Sequence, residues 1–124
     1  MNWDMPTVIA CVAAGGAIGA VLRYLVGNYI GAETFPWGTF IVNFIGCVIL
    51  TFMVFSFSGQ MSKNTMFFLF TGVLGAFTTM STFTLETVNL FYDNEMMKAA
   101  FNVVLNGGVC LLGAFAGRFL SLLV

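Results

Sequence analysis

Four long apolar stretches alternate with short polar segments along this chain. The stretches cover residues 7–30, 37–57, 65–90 and 99–123. Each is long enough to cross a bilayer as a helix, which takes roughly 20 residues. A spanning helix satisfies its own backbone hydrogen bonds where no water is available. The pattern therefore predicts an all-α membrane protein with four transmembrane helices in a single domain, residues 1–124.

The composition agrees with this prediction and excludes several other classes of protein. Hydrophobic residues make up 60% of the 124 residues and charged residues 7%, with a net charge of −1. No basic cluster is present to hold nucleic acid, so lipid is an expected partner and nucleic acid is not. Met1 to Asp4 carry no positive charge. Because the first stretch is long enough to span, we expect a retained helix and not a cleaved signal peptide.

Small residues occur at spacings that favour close helix packing. Glycines lie four residues apart three times, at Gly15/Gly19, Gly27/Gly31 and Gly113/Gly117. This spacing lets two membrane helices approach closely, so helix packing is the predicted role. The three cysteines, Cys11, Cys47 and Cys110, each fall within an apolar stretch without the spacing of a metal site or redox pair. They are predicted to be small core residues.

A tract of hydroxyl side chains and glycines interrupts the third apolar stretch. Residues 72–84 contain Gly72, Gly75 and five serines or threonines, a composition with weak helix preference. Such a tract must be buried in protein or line a wet path. A mid-membrane break there would offer carbonyl oxygens to a small cation and N–H groups to an anion. A continuous helix packed through its small residues is the alternative.

Asparagines in the second and fourth stretches are further candidates. Asn43 either forms an interhelical hydrogen bond or lines a pore. Asn102, Asn106 and Cys110 follow one another at intervals of four residues. They therefore share one helix face, which we expect to point toward protein or water.

Two charges, Arg23 and Glu86, lie well inside predicted spans. A charge in a bilayer needs a partner, a cavity or a route to the surface. Arg23 either extends to the interface or forms the floor of an aqueous vestibule that concentrates an anion. Glu86 is a candidate partner for Arg23, or a proton or cation site.

The four basic residues are evenly divided between the two sides of the membrane. In a four-helix topology Lys63 and Arg118 fall on the side of the termini, and Arg23 and Lys98 fall on the other. The positive-inside rule therefore sets no orientation. Such a chain is a candidate for inserting both ways and forming an antiparallel dimer, in which every off-axis site is duplicated.

Three sequence blocks match a known family in order and spacing. They are residues 15–24 (GGAIGAVLRY), 36–43 (PWGTFIVN) and 72–86 (GVLGAFTTMSTFTLE). Over essentially its whole length the chain resembles the Fluc (CrcB) family of fluoride channels. The resemblance implies a passive, non-enzymatic channel that exports fluoride from the cytoplasm across the cell (inner or plasma) membrane. It also implies an antiparallel, dual-topology homodimer with two pores, a third helix broken at mid-membrane, and a structural Na⁺ ion on the dimer axis.

The resemblance also assigns roles to individual residues. The carbonyls of Gly75 and Thr78 would hold Na⁺, Arg23 would lie in the vestibule and Asn43 would donate to fluoride. Apart from the resemblance, we expect Glu86 to lie in the same vestibule. Met80 departs from the family pattern because it replaces the first phenylalanine of an aromatic pair, whose second member matches Phe83. Asn102 and Cys110 stand where relatives often carry hydroxyl side chains. The fluoride pathway would comprise Asn43, Met80, Ser81, Thr82, Phe83, Asn106 and Cys110.

Two other classes of membrane protein remain as alternatives. Small multidrug-type proton/cation antiporters are also four-helix chains of this length that form antiparallel dimers. They need a carboxylate in the first helix, whereas this first stretch has none and Glu86 lies late in the third. A structural membrane subunit would leave the hydroxyl tract unexplained.

Overall fold

The computed structural model describes residues 4–124, and these residues form four helical spans. All four are long and apolar enough to cross a membrane, which confirms the prediction of four membrane-capable helices. Residues 1–3, on which the expectation of a retained N-terminal helix partly depends, lie outside the described residues. The first to fourth spans are Met5–Ile30, Trp37–Gln60, Lys63–Tyr92 and Met96–Ser121.

The link between the first two spans is built by one glycine and an aromatic cluster. Gly31 ends the first helix at φ +77°, a left-handed conformation that a side chain would strain. Phe35 is buried, and its ring centroid lies 4.8 Å from that of Trp37 and 5.3 Å from that of Phe101. The link is therefore packed against the fourth span.

Close glycine contacts join the first span to the third. A Cβ atom added at Gly15 would lie 2.2 Å from the Phe68 carbonyl oxygen, and one at Gly19 would lie 2.1 Å from the Val73 carbonyl oxygen. These distances leave no room for any side chain, so the two backbones pack directly against each other.

The second and fourth spans pack in the same way. A Cβ atom at Gly117 would lie 2.4 Å from the Val48 carbonyl oxygen, and one at Gly113 would lie 2.7 Å from the Phe44 ring. The predicted packing role is thus confirmed for the first and last glycine pairs. It is wrong for Gly31, where an added Cβ would contact nothing within 4 Å and the backbone conformation is the constraint.

The third and fourth spans depart from regular α-helix. In the third, a π-helical segment, Phe67–Leu74, precedes a short helical turn, Gly75–Phe77. Thr78 and Thr79 then take extended dihedrals (φ −79°, ψ 157° and φ −149°, ψ 117°), and a helix begins again at Met80. The fourth span contains a second π-helical segment, Val104–Val109. Hydrophobic periodicity did not predict either π-helical segment.

Candidate functional site

Two polar stripes face each other across the second and fourth spans. Along each helix the members recur every fourth residue, which places them on one face. The Asn43 amide nitrogen donates to Asn106 Oδ1 at 2.8 Å, and Cys47 packs against the buried cluster that contains Cys110. The stripes are Thr39, Asn43 and Cys47 on the second span, and Asn102, Asn106 and Cys110 on the fourth.

The Asn43 side chain binds the extended backbone of the third span through both the oxygen and the nitrogen of its amide group. Its Oδ1 accepts the Thr79 backbone N–H at 2.7 Å, and its Nδ2 donates to the Thr79 carbonyl oxygen at 3.1 Å. In a continuous α-helix the Thr79 N–H would donate to the Gly75 carbonyl. Asn43 therefore replaces a helical partner and holds the chain in its extended conformation.

A chain of amide hydrogen bonds continues from Asn43 along the fourth span. Asn106 Nδ2 donates to both the carbonyl oxygen and Oδ1 of Asn102, at 3.1 and 3.0 Å. Asn102 is completely buried, and its Nδ2 donates to Thr87 Oγ1 at 3.0 Å. Buried amides that are bonded in this way are rigid, because an unpaired amide is costly in an apolar surrounding.

The hydroxyl tract begins a new helix immediately after the extended segment. Thr79 Oγ1 caps this helix by accepting the Thr82 N–H at 3.2 Å, and it donates to Thr82 Oγ1 at 3.0 Å. Ser81 and Thr82 are exposed in the first turn. The N-terminal end of a helix carries partial positive charge, so this turn favours an anion.

A cavity of about 360 Å³ contains the two membrane charges. Arg23, Thr39, Thr82 and Glu86 line it, and Thr39 Oγ1 donates to Glu86 Oε1 at 2.6 Å. The other oxygen, Oε2, is buried without a hydrogen-bond partner. Within residues 4–124 Arg23 and Glu86 form no ion pair, so Glu86 is not the charge partner of Arg23 in this structure.

A second cavity, of about 280 Å³, contains most of the predicted pathway residues. Met80 is 73% exposed, Phe83 is half-buried and Cys110 is buried. Ser81 does not line this cavity, and Thr82 lines the larger cavity that contains Arg23. Predicted pathway residues along the smaller cavity are Asn43, Met80, Phe83, Asn106 and Cys110.

Of the predicted carbonyl ligands of a cation, Gly75 begins the short helical turn before the extended segment, and Thr78 is the first residue of that segment. Thr78 lines the smaller cavity, and both its N–H and its Oγ1 donate to the Leu74 carbonyl at 3.2 Å. Gly75 is exposed in the single chain. Among the described residues no group of three or more acidic, histidine or cysteine side chains is placed to hold a metal.

Sequence reasoning missed three members of this site. Thr39 and Cys47 lie four residues before and after Asn43, so the helix period could have identified them. Thr79 lay in the hydroxyl tract, but it gave no signal of its own because its importance comes from the contact with Asn43. Facing residues on different helices cannot be paired from sequence spacing alone.

The chain is similar to proteins of a known family. The family model described as CrcB-like protein, Camphor Resistance (CrcB), matches residues 10–118. A protein of Sulfurihydrogenibium sp. (strain YO3AOP1) named "Fluoride-specific ion channel FluC" is 41% identical, over 89% of this chain and 93% of its own length.

Further relatives come from other organisms. "Fluoride-specific ion channel FluC 3" of Brucella suis biovar 1 (strain 1330) is 40% identical over 86% of this chain and 85% of its own. The FluC protein of Methanococcus aeolicus is 40% identical over 91% and 94%. With its four spans, the chain is a multi-pass membrane protein. It belongs to the CrcB family.

Proposed function

We propose that this protein is a fluoride-selective passive channel and not an enzyme. The observation that carries the proposal is the cavity shared by Asn43, Asn106 and Phe83, in a chain about 40% identical to proteins named fluoride-specific ion channels. Fluoride is a small, strongly hydrated acceptor. A narrow path of hydroxyl and ring-edge donors beside the Asn43 amide replaces its hydration shell better than that of chloride.

The proposed path runs from the larger cavity to the smaller one. Arg23 in the larger cavity attracts the anion, and Glu86 lines the same cavity. Thr79 lines both cavities, so the extended segment lies at their junction. Beyond it the anion passes the Asn43 amide and the edge of the Phe83 ring. Ser81 and Thr82 supply hydroxyls at the start of the helix that follows.

The active form in this proposal is an antiparallel homodimer with two pores. Arg23 and Lys98 lie at the same end of the helix bundle, because the two cavities that they line share Glu86. Arg118 lies over the Phe55 ring near the C-terminal end of the second span. This placement supports the even division of basic residues that removes any preferred orientation.

A Na⁺ ion on the dimer axis completes the proposal. Because the Thr79 N–H is bonded to Asn43, the Gly75 carbonyl oxygen lacks its usual helical donor. Gly75 is also exposed in the single chain, where a partner can approach it. The carbonyls of Gly75 and Thr78 from two chains would supply four oxygen ligands. The third helix, broken at mid-membrane, thereby contributes to both the cation site and the anion path.

No finding supports the multidrug-antiporter alternative. The first span, Met5–Ile30, contains no carboxylate. Glu86, on the third span, accepts a hydrogen bond from Thr39. The relatives compared above carry the names of channels.

Purified protein in liposomes should release trapped fluoride, but not chloride, once a potassium ionophore balances the charge. The reason is that the path offers donors suited to the smaller, stronger acceptor. An ion-selective electrode measures each release, and protein-free liposomes are the control. Equal chloride release, or fluoride release only with a proton gradient, would falsify the channel proposal.

A parallel arm with lithium in place of sodium should show slower fluoride release if Na⁺ holds the dimer.

Asn43→Asp should nearly abolish fluoride release. The substitution removes the Nδ2 donor to Thr79 and Asn106 and places a negative charge on the anion path. Asn64→Asp, the same change at an exposed position outside the path, is the matched control and should release fluoride at the wild-type rate. If folded Asn43→Asp protein releases fluoride at the wild-type rate, Asn43 has only a packing role.

Phe83→Ile should slow fluoride release at least about tenfold, which corresponds to about 1.4 kcal/mol of added barrier. Isoleucine keeps the apolar volume but removes the positive ring edge. Met80→Phe should change the rate by no more than a few-fold, because Met80 is flexible and already leaves the path passable. Stopped-flow or electrode measurements on assembled dimers give both rates. Normal release by Phe83→Ile would exclude a role for the ring edge.

Extra lysines in the 58–64 loop should force nearly all copies into one orientation and make that population inactive. The even charge division leaves no other strong bias for the added lysines to overcome. Co-expression with a copy that carries the same lysines in the 92–96 loop should restore fluoride release. Full activity of the first variant alone would contradict the antiparallel dimer.

A further inference from the structure

Three sulfur atoms belong to side chains that line the smaller cavity. Cys47 on the second span packs against the buried cluster that contains Cys110 of the fourth span, and both side chains line this cavity. Met80 lines the same cavity from the third span. Cys110 is only 4% exposed, whereas Met80 is 73% exposed. Cys11, the remaining cysteine, lies on the first span and does not line this cavity.

We propose that Cys47, Cys110 and Met80 form a binding site for a soft monovalent d¹⁰ cation, Cu(I) or Ag(I). Thiolate and thioether sulfurs are the ligands that such ions prefer. A structural zinc site would need four tetrahedral nitrogen or sulfur ligands. The described residues offer no third cysteine, histidine or carboxylate to this pair. A set of three ligands, two cysteine sulfurs and one thioether, instead suits a soft monovalent ion.

The charge balance of the cavity is compatible with this class of ion. None of the side chains that line it is charged. When Ag(I) binds, one thiol loses its proton to solvent and forms an S–Ag bond, while the second thiol and the thioether coordinate without losing a proton. The filled site is therefore neutral. A net charge would be costly in a cavity with apolar walls.

The position of the site predicts an effect on ion flow. Asn43, Asn106 and Phe83 line the same cavity, so a bound cation would occupy the path proposed for fluoride. Block of fluoride release thus rests on the proposed function. Binding of the cation does not, because it depends only on the three sulfur atoms.

Titration with silver nitrate in chloride-free buffer tests the site directly. All samples carry Cys11→Ala, which removes the thiol outside the cavity. This reduced protein should retain about one Ag(I) per chain after desalting, as its sulfur set predicts. Cys47→Ser and Cys110→Ser, which nearly preserve side-chain size, should each bind at least about tenfold more weakly, equivalent to about 1.4 kcal/mol. Met80→Leu should weaken binding less, because both thiols remain.

Two outcomes would overturn the site. One is no retained Ag(I) in the Cys11→Ala protein, and the other is unchanged affinity in folded Cys47→Ser and Cys110→Ser, which would indicate independent thiols. A fluoride-release assay on the same proteins separates the two proposals. Block only in variants that bind Ag(I) supports both the site and the path. Binding without block supports the site and contradicts the path.

Discussion

The hydrogen bonds between the Asn43 side chain and the Thr79 backbone are the interaction on which the rest of the site depends. They satisfy the N–H and the C=O of an extended residue inside a membrane-spanning segment, where unpaired backbone groups are costly. With both groups bonded, the chain can leave the helix at Thr78 and begin a new one at Met80. The Thr79 hydroxyl is then free to cap that second helix.

Glycine contacts supply the frame in which this interaction forms. Gly15 and Gly19 join the first span to the third, and Gly113 and Gly117 join the fourth span to the second. The molecule thus contains two closely packed helix pairs, and Asn43 carries hydrogen bonds from one pair to the other. An interhelical hydrogen bond in a membrane contributes only about 0.6–2 kcal/mol. Packing therefore brings the pairs together, and the Asn43 bonds select the register in which the cavities form.

Much of this arrangement could be predicted from sequence. Apolar length predicted four spans, and the interval of four residues placed Asn102, Asn106 and Cys110 on one face. The resemblance to a channel family selected Asn43 and Phe83, which the structure brings to one cavity. Contacts between helices could not be predicted in the same way. Thr39 and Glu86 are 47 residues apart, and Cys47 and Cys110 line one cavity only because the second and fourth spans pack in one register.

The extended segment lies between the two cavities and lines both of them. It separates the charged cavity from the sulfur-lined cavity, and it directs the Thr79 N–H away from Gly75. One interruption therefore serves both an anion path and a cation site in the proposed dimer. Cys47 and Cys110 line the same cavity, so the proposed soft-metal site predicts that a bound ion blocks the proposed path.

Hydrogen–deuterium exchange at the Thr79 amide tests the central claim most directly. In wild-type protein this N–H should be protected although it lies outside regular helix, because Asn43 Oδ1 accepts it. Asn43→Leu should speed its exchange at least about tenfold, whereas Asn106→Leu, which leaves that acceptor in place, should not. Equal protection of the Thr79 amide in wild type and Asn43→Leu would contradict the account.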